Sequence, residues 1–299
     1  ALYANTTGTS NVAVGGFCLD SNIGGSYNCA IGYAALNTNT TANDNTAVGN
    51  GALSANTTGP SNTAVGSAAL DANTTASNNT GVGVNALGAN TTGSENTAVG
   101  KGALAANTTA SNNVAVGFNA LDACTIGGDN NAFGTYALST LTTGTNNNAF
   151  GKNAIANMTV GAFNNGFGQE ALENTTTGSN NCSFGYNAIQ ANTTGSNNSA
   201  FGHQALEDCT VSDCCAFGVY ALKENTTGAN NSSFGAYSLR DNTTGAQNTA
   251  FGNYALYENT TASNNTALGY EALKINTTGT NNTAVGNDAL KALTTNSYC

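Results

Sequence analysis

The sequence predicts an all-β fold, a parallel β-solenoid in which short strands stack coil upon coil. Three observations support this: a 17-residue unit repeats 17 times, the residue before the unit's glycine is always apolar, and Leu or Ile always follows that glycine by four positions. The unit is clearest at residues 62–78. Units of such short period bury apolar residues only by packing on neighbouring units. Seventeen coils spaced by about 4.8 Å would form a rod of ~80 Å.

The repeat is marked by a glycine that recurs every 17 residues from Gly15 to Gly286, with one interruption. Between Gly202 and Gly218 one residue is lost, so residues 203–218 form a shortened, irregular coil. No linker divides the chain, which predicts a single elongated repeat domain over residues 1–299. The first and last units are incomplete, and a solenoid edge offers unpaired backbone groups. We therefore expect an end-to-end junction, either to more chain or to another copy.

The segment before each glycine, Thr-Ala-Val at residues 63–65, has the composition of a strand. Alternation places Thr63 and Val65 on one face and Ala64 on the other. The apolar residue before the glycine predicts one core column, and the Leu or Ile after it predicts a second. The candidate core ladder is Val48, Leu53, Val65, Leu70, Phe133, Leu138, Phe251 and Leu256. The small residue two before each glycine indicates close packing, which would let three rods approach along an axis.

The remainder of each unit connects one strand to the next. Residues 67–72 do not alternate and carry adjacent apolar residues, which predicts one helical turn per coil. A Thr-Thr pair follows, and its second member is replaced by Ile126, Val160 and Val211. Exchange with β-branched apolar residues predicts a packed site in a second short strand. A Gly or Ala turn with paired Asn closes the coil, and stacking of Asn amides would explain their abundance.

The charge balance limits the classes of partner. Six basic residues stand against 16 acidic ones, a net charge of −10, which disfavours nucleic acid and anionic membrane surfaces. No apolar run is long enough to predict a membrane-spanning helix, so we expect no membrane insertion.

The eight cysteines lack the CxxC spacing and nearby histidines of a zinc site, so we predict no metal. Three groups are candidates for disulfides: two in the first unit, three in the shortened coil, and one at the end of the chain. They are Cys18, Cys29, Cys209, Cys214, Cys215 and Cys299. Disulfides would indicate an oxidising, extracellular setting.

Nothing in the sequence predicts catalysis or a cofactor. His203 is the only histidine, and no nucleophile stands in recognisable spacing with a base and an acid. The acidic residues are scattered over different positions of the unit, which favours a solvated surface over paired catalytic carboxylates or calcium ligands.

Two recurring features suggest contacts with other molecules. Tyr220, Tyr237 and Tyr254 occupy one position on three consecutive coils, and they form a candidate contact for a partner or glycan, although aromatic stacking that merely shields the solenoid is the favoured explanation. The Asn-Thr-Thr triplets are formal glycosylation sequons, although a Thr ladder would need the same residues. The candidate glycosylation sites are Asn56, Asn73, Asn90, Asn107 and Asn242.

The motif Asn-Thr-Ala-Val-Gly, followed by Ala-Leu and by Asn-Thr-Thr-Gly, resembles the repeat shafts of phage tail-fibre proteins and bacterial surface adhesins. It is more distantly similar to the head repeat of trimeric autotransporter adhesins. The resemblance covers residues 5–293. It implies an extracellular, cell-surface or virion-surface location, assembly with copies of itself, and contact with a host-surface glycan or receptor.

These patterns together predict a non-enzymatic structural rod, the shaft of a surface filament, adhesin or virion fibre. Copies would join as a homotrimer or as an end-to-end filament. Two alternatives remain open. The Thr ladder that includes Thr57, Thr74 and Thr91 could bind ice, or the sequons could make the chain a glycan-coated filament subunit.

Overall fold

The computed structural model describes all residues from 1 to 299, and it consists of three-residue strands joined by turns and bends, with no helix. Internal contacts divide the chain into two compact units, Ala1–Asn147 and Asn148–Cys299, where the sequence pattern predicts one domain. Each unit is a parallel β-solenoid, as the sequence predicts. In a solenoid each coil packs only on its neighbours, so a run of successive coils forms a compact unit by itself.

The first unit contains eight strands, which pair in chain order. They are β1 (Val12–Val14), β2 (Cys29–Ile31), β3 (Thr46–Val48), β4 (Thr63–Val65), β5 (Thr80–Val82), β6 (Thr97–Val99), β7 (Val114–Val116) and β8 (Asn131–Phe133).

The second unit contains nine strands, which also pair in chain order. They are β9 (Asn148–Phe150), β10 (Asn165–Phe167), β11 (Cys182–Phe184), β12 (Ser199–Phe201), β13 (Cys215–Phe217), β14 (Ser232–Phe234), β15 (Thr249–Phe251), β16 (Thr266–Leu268) and β17 (Thr283–Val285).

The register aligns equivalent residues of successive coils. Ala64 pairs with Gly81, and Val65 pairs with Val82. The shortened coil keeps this alignment, because Ser199 pairs with Cys215 and Phe201 with Phe217. The lost residue is therefore absorbed in the connection and not in the strand.

The middle residue of each strand from β2 to β17 is buried, whereas its two neighbours face outward. The predicted core column before the glycine is therefore wrong: Val48 is half-buried, and Val65, Phe133 and Phe251 are 36 %, 37 % and 56 % exposed. Since alternate strand residues point to opposite faces, the small residue two before the glycine faces the interior instead. That column is closed inside the coil and cannot bring three chains together.

The second predicted column does form the core. Leu53, Leu70, Leu138 and Leu256 are fully buried, together with the Ala that precedes each of them. The interior is narrow, and it is filled by one Leu or Ile and two small side chains per coil.

The stretch after the glycine is not the predicted helical turn, because every second residue has a left-handed backbone. In one coil Ala68 has φ 54° and Leu70 has φ 52°. A left-handed conformation costs about 1–2 kcal/mol at a residue with a side chain. Burial of a Leu side chain returns about 1.5–3 kcal/mol, and the Leu70 amide also donates to the Ala86 carbonyl at 3.0 Å.

The Thr-Thr segment is a bend and not the predicted second strand. The first Thr still links the coils, since the Thr57 amide and hydroxyl both donate to the Thr74 carbonyl, at 2.9 and 3.0 Å. The second Thr position faces outward: Ile126 and Val160 are 59 % and 50 % exposed, so packing does not explain their exchange with Thr.

Two asparagine ladders line the interior. The turn asparagines lie seven residues after the glycine in most coils, and the strand asparagines lie four residues before it in every coil except the shortened one. Asn73 of the first ladder donates from Nδ2 to Asn56 Oδ1 at 3.0 Å and to the Ala76 carbonyl at 3.1 Å. In the second ladder, the Asn79 amide donates to Asn62 Oδ1 at 3.0 Å, and Asn79 Nδ2 donates to the Gly93 carbonyl at 2.8 Å. These bonds satisfy buried backbone groups at the bends, which accounts for the high Asn content.

Candidate functional site

The main candidate surface is the outer face of each unit, defined as the first and third residues of its strands, β1 to β8 in the first unit and β9 to β17 in the second. The third residue is Val, Ile, Leu or Phe in every strand, and the first is Thr, Ser, Asn, Cys or Val. No strand places a charged residue there, although the chain carries 22 charged side chains, 6 basic and 16 acidic. Surface apolar residues are normally scattered singly, and a regular apolar column is typical of an interaction site.

In the second unit the apolar column consists largely of stacked phenylalanines. Phe167 and Phe184 lie 4.5 Å apart with an interplanar angle of 2°, and Phe184 and Phe201 lie 4.7 Å apart at 7°. The same stacking continues from Phe201 through Phe217 and Phe234. Because ring faces are covered by neighbouring rings, the column presents ring edges outward.

The tyrosines singled out from the sequence do form a strip on the second unit. Tyr237 and Tyr254 stack at 5.0 Å and 4°, and Tyr220 and Tyr237 lie 5.3 Å apart at 39°. All three are half-buried. Their faces are largely covered by one another, whereas a sugar that stacks on an aromatic ring needs an open face. The structure therefore gives these rings a packing role.

Charged side chains flank the tyrosine strip. Arg240 pairs with Asp241 at 3.2 Å and with Glu224 at 3.7 Å, and it lies over the Tyr257 ring, 5.5 Å from its centre. Lys274 lies 5.2 Å from the centre of the Tyr254 ring. Burial raises the pKa of Asp241 even though Arg240 opposes this shift. These contacts hold the tyrosine strip in place. Each charged side chain in this group contacts a partner within the protein, so none of them is directed at an empty site.

Glu271 holds the strongest cluster of charges beside this strip. It pairs with Lys274 at 2.7 Å and also with Lys291. Hydrogen bonds from Lys274 and then from Lys291 lower the pKa of Glu271 to about 2. Lys291 also pairs with Asp288 at 3.1 Å, so the two lysines and two carboxylates of the cluster balance in charge.

The candidate glycosylation sites lie in the interior. Asn56, Asn73, Asn90, Asn107 and Asn242 are all fully buried. Their Nδ2 atoms, to which a glycan would be attached, donate to the ladder and to a carbonyl three residues later. A glycan on these nitrogens is incompatible with the fold, and the prediction of these sites is corrected accordingly.

No disulfide is present, and all eight cysteines are free thiols. Cys18 is buried, Cys29 and Cys215 are half-buried, and Cys299 is exposed. Cys209 and Cys214 are buried together in the shortened coil, where both sulfur atoms accept from Asn225 Nδ2, at 3.8 and 3.7 Å. Only this pair of the predicted candidates is brought into contact.

His203 is placed by packing. Its ring lies 5.3 Å from Tyr186 and 5.3 Å from Tyr220. The structure places no group of three or more His, Cys, Asp or Glu side chains where they could hold a metal ion. It also contains no helix with the length and apolar character needed to cross a membrane.

The sequence pattern contained the signal for the outer face. A strand with Ala or Gly in its centre and larger residues at both ends has its small side chain in the narrow interior, because only one face can be enclosed by so short a coil. The residue before each glycine is always apolar, which suggested that it is buried. However, it directly follows the small residue at the strand centre, and alternation puts these two on opposite faces, so the apolar residue faces outward. No protein-family model, curated protein or solved structure gives a significant match to the chain.

Proposed function

We propose that this chain is a non-enzymatic structural segment of an extracellular appendage, such as a surface filament, an adhesin or a virion fibre, and that it assembles with copies of itself through the outer face. The observation that carries this proposal is the uncharged apolar column repeated in every strand. The extracellular setting rests on the resemblance of the repeat to fibre and adhesin shafts.

A second copy fits the outer face better than an unrelated protein because of its periodicity. The outer side chains recur with the coil spacing of about 4.8 Å, and a surface that matches them must have the same spacing. Two such faces can interdigitate as a dry interface between paired sheets. The face is about 10 Å wide, or ~50 Å² per coil, so the eight strands of the first unit offer ~400 Å² and the nine strands of the second offer ~450 Å². A standard stable complex buries about 800 Å² per partner.

The charge distribution supports the same arrangement. Two copies with a net charge of −10 each repel one another over most of their surface. The acidic residues lie at the turns and bends, so the outer face is the surface on which copies meet with the least repulsion. Whether the copies form a homotrimer or a filament depends on how many outer faces pair and on whether the ends of the copies join.

Ice binding by the Thr ladder has less support. The hydroxyl hydrogens of Thr57, Thr74 and Thr91 are donated to carbonyls of the next coil, at 3.0, 3.1 and 2.9 Å. They are therefore not available as donors to an ordered water layer. A thermal hysteresis assay separates the two functions, since the assembly proposal predicts no hysteresis.

The proposal is tested with charges placed on the outer face. Val65 and Val99 are 36 % and 37 % exposed, so Val65→Lys/Val99→Lys should fold normally and weaken self-association by at least tenfold. The matched control is Thr58→Lys/Thr75→Lys, which adds the same charges at exposed positions of the bend. Sedimentation velocity over a concentration series, with circular dichroism to check folding, measures the effect. Equal association of both variants, or a strictly monomeric wild type, would refute assembly through this face.

A further inference from the structure

The shortened coil combines two changes that occur together nowhere else in the chain. It has lost one residue from its connection, and cysteine replaces asparagine in both interior ladders. In an ordinary coil, the turn asparagine Asn56 and the strand asparagine Asn62 both donate to the Gly59 carbonyl, at 3.0 and 3.2 Å. In the shortened coil the equivalent residues are Cys209 and Cys214, and the connection between them is one residue shorter.

The two thiols meet in the interior. Asn225 Nδ2 donates to both sulfur atoms, at 3.8 Å to Cys209 and 3.7 Å to Cys214, so the two sulfurs contact the same atom. Both residues are fully buried. Cys215 is next in sequence, but it is the first residue of β13 and faces outward. The geometry therefore selects one pair from the three cysteines of this coil.

We propose that Cys209 and Cys214 are the site of an intracoil disulfide that forms when the protein meets an oxidising disulfide reagent of low molecular weight, such as oxidised glutathione. Asparagine ladders hold ordinary coils by hydrogen bonds between neighbouring coils. A thiol donates only weakly, so the shortened coil has weaker links at both ladder positions. A disulfide between Cys209 and Cys214 would hold the connection closed in place of the asparagine hydrogen bonds.

The reaction balances as two exchange steps. The proximity of Cys209 lowers the pKa of the Cys214 thiol, which favours Cys214 as the first thiolate. The Cys214 thiolate attacks one sulfur of the reagent, forming a mixed disulfide and releasing one small thiolate. The deprotonated Cys209 then attacks the Cys214 sulfur, forming the intracoil bond and releasing the second thiolate. Two protein thiols are oxidised, the reagent is reduced to two thiols, and these take up the two protons.

Because both thiols are buried, the reagent reaches them only when the coil opens locally. Oxidation should therefore be slow in the folded protein and should accelerate in concentrations of urea below the unfolding transition. Exposed thiols such as Cys299 should form mixed disulfides quickly under the same conditions.

Peptide mapping of the wild-type protein tests the proposal. The protein is incubated with oxidised glutathione, unfolded, alkylated and cleaved with chymotrypsin, and the peptide that contains all three cysteines of the coil is sequenced by mass spectrometry. The expected peptide lacks two hydrogen atoms, carries one alkyl group on Cys215, and gives no fragments between Cys209 and Cys214. Alkylation of both Cys209 and Cys214, or a bridge from either one to Cys215, would overturn the assignment.

A stability measurement supplies an independent readout. Oxidation should raise the denaturant midpoint of the wild type and of Cys215→Ser, and it should leave the midpoint of Cys209→Ser unchanged. An equal rise in Cys209→Ser would show that another thiol is responsible. These outcomes do not depend on assembly through the outer face, because the interior pair is present in every copy.

Discussion

At the residue scale, the recurring glycine is required by the close approach of neighbouring coils. Gly66 has φ 138°, and a Cβ atom on it would lie 2.5 Å from the carbonyl oxygen of Gly83. Both the conformation and the contact exclude a side chain, and the same contact repeats at most of the equivalent glycines. The invariance of this position in the repeat thus has a steric cause.

Gly66→Ala should lower the free energy of unfolding by more than about 3 kcal/mol, because it combines backbone strain with a clash against a backbone atom. Gly51→Ala is the matched control: Gly51 also has a positive φ, 68°, but a Cβ there has open space. Its cost should be about 1 kcal/mol. Guanidinium chloride unfolding followed by circular dichroism compares the two, and equal losses would contradict the steric explanation.

The asparagine ladder makes a second residue-scale prediction. Asn107 Oδ1 is buried without a hydrogen-bond partner, because the next coil has Cys124 in place of the donating asparagine. Asn73, in the middle of the ladder, donates to Asn56 Oδ1 and has Asn90 Nδ2 as a donor to its own Oδ1.

Asn73→Ala should therefore destabilise the protein more than Asn107→Ala, by about 1–2 kcal/mol. The first substitution breaks a bond on each side, whereas the second breaks one and also removes an unsatisfied oxygen. The two positions have the same place in the coil and the same burial, so the cavity cost cancels. Urea denaturation midpoints measure the difference, and a larger loss for Asn107→Ala would show that the ladder is not continuous.

At the scale of elements, the sequence predicted the strand before each glycine, but the second strand predicted at the Thr-Thr pair is a bend and the turn after the glycine was predicted wrongly. Alternation over three residues, Thr63 to Val65, was sufficient to locate a strand. The left-handed turn at Ala68 and Leu70 was hidden, because these residues normally avoid positive φ, and only the packing of coil on coil makes it favourable. The inward and outward faces were assigned wrongly for a related reason: hydrophobicity alone does not show how narrow the interior is.

The turn segment also carries a prediction about pH. Burial is the largest cause that raises the pKa of Asp71 and of Asp122, and it is opposed by hydrogen bonds from backbone amides. A pKa above the unfolded value of about 3.9 means that the folded chain binds the proton more tightly. The stabilising contribution is present at acid pH and is lost as pH rises through the folded-state pKa.

The free energy of unfolding should therefore increase as pH falls from 7 toward about 4, and the increase should be smaller in Asp71→Asn/Asp122→Asn. Glu271, whose pKa is lowered to about 2, acts in the opposite direction, and its stabilising contribution is lost progressively as pH falls below about 5. It does so equally in the wild type and in the double variant, so the difference between the two still reports on Asp71 and Asp122. Urea unfolding at several pH values measures how the free energy of unfolding changes with pH in the wild type and in the double variant. Identical slopes for wild type and double variant would contradict the assignment to these carboxyls.

At the scale of the whole molecule, the repeat gives the interior, the turns and the outer surface different residue types. Each coil places small residues, Leu and two amide ladders inside, charges at the turns, and an uncharged apolar column outside. The sequence predicted a repeat protein without recognisable catalytic spacing, but hydrophobicity assigned the apolar column to the core, although its alternation with a small residue indicated an outward position. The structure relocates that column and, with it, the proposed contact between copies.

A cryo-EM map of the wild-type assembly, at a resolution that shows aromatic side chains, tests the central claim most directly. The proposal predicts that the outer faces of neighbouring copies meet, with the rings from Phe167 to Phe234 and the valines from Val48 to Val116 buried between them. An assembly in which these columns face solvent, or particles that remain single chains at high concentration, would contradict it.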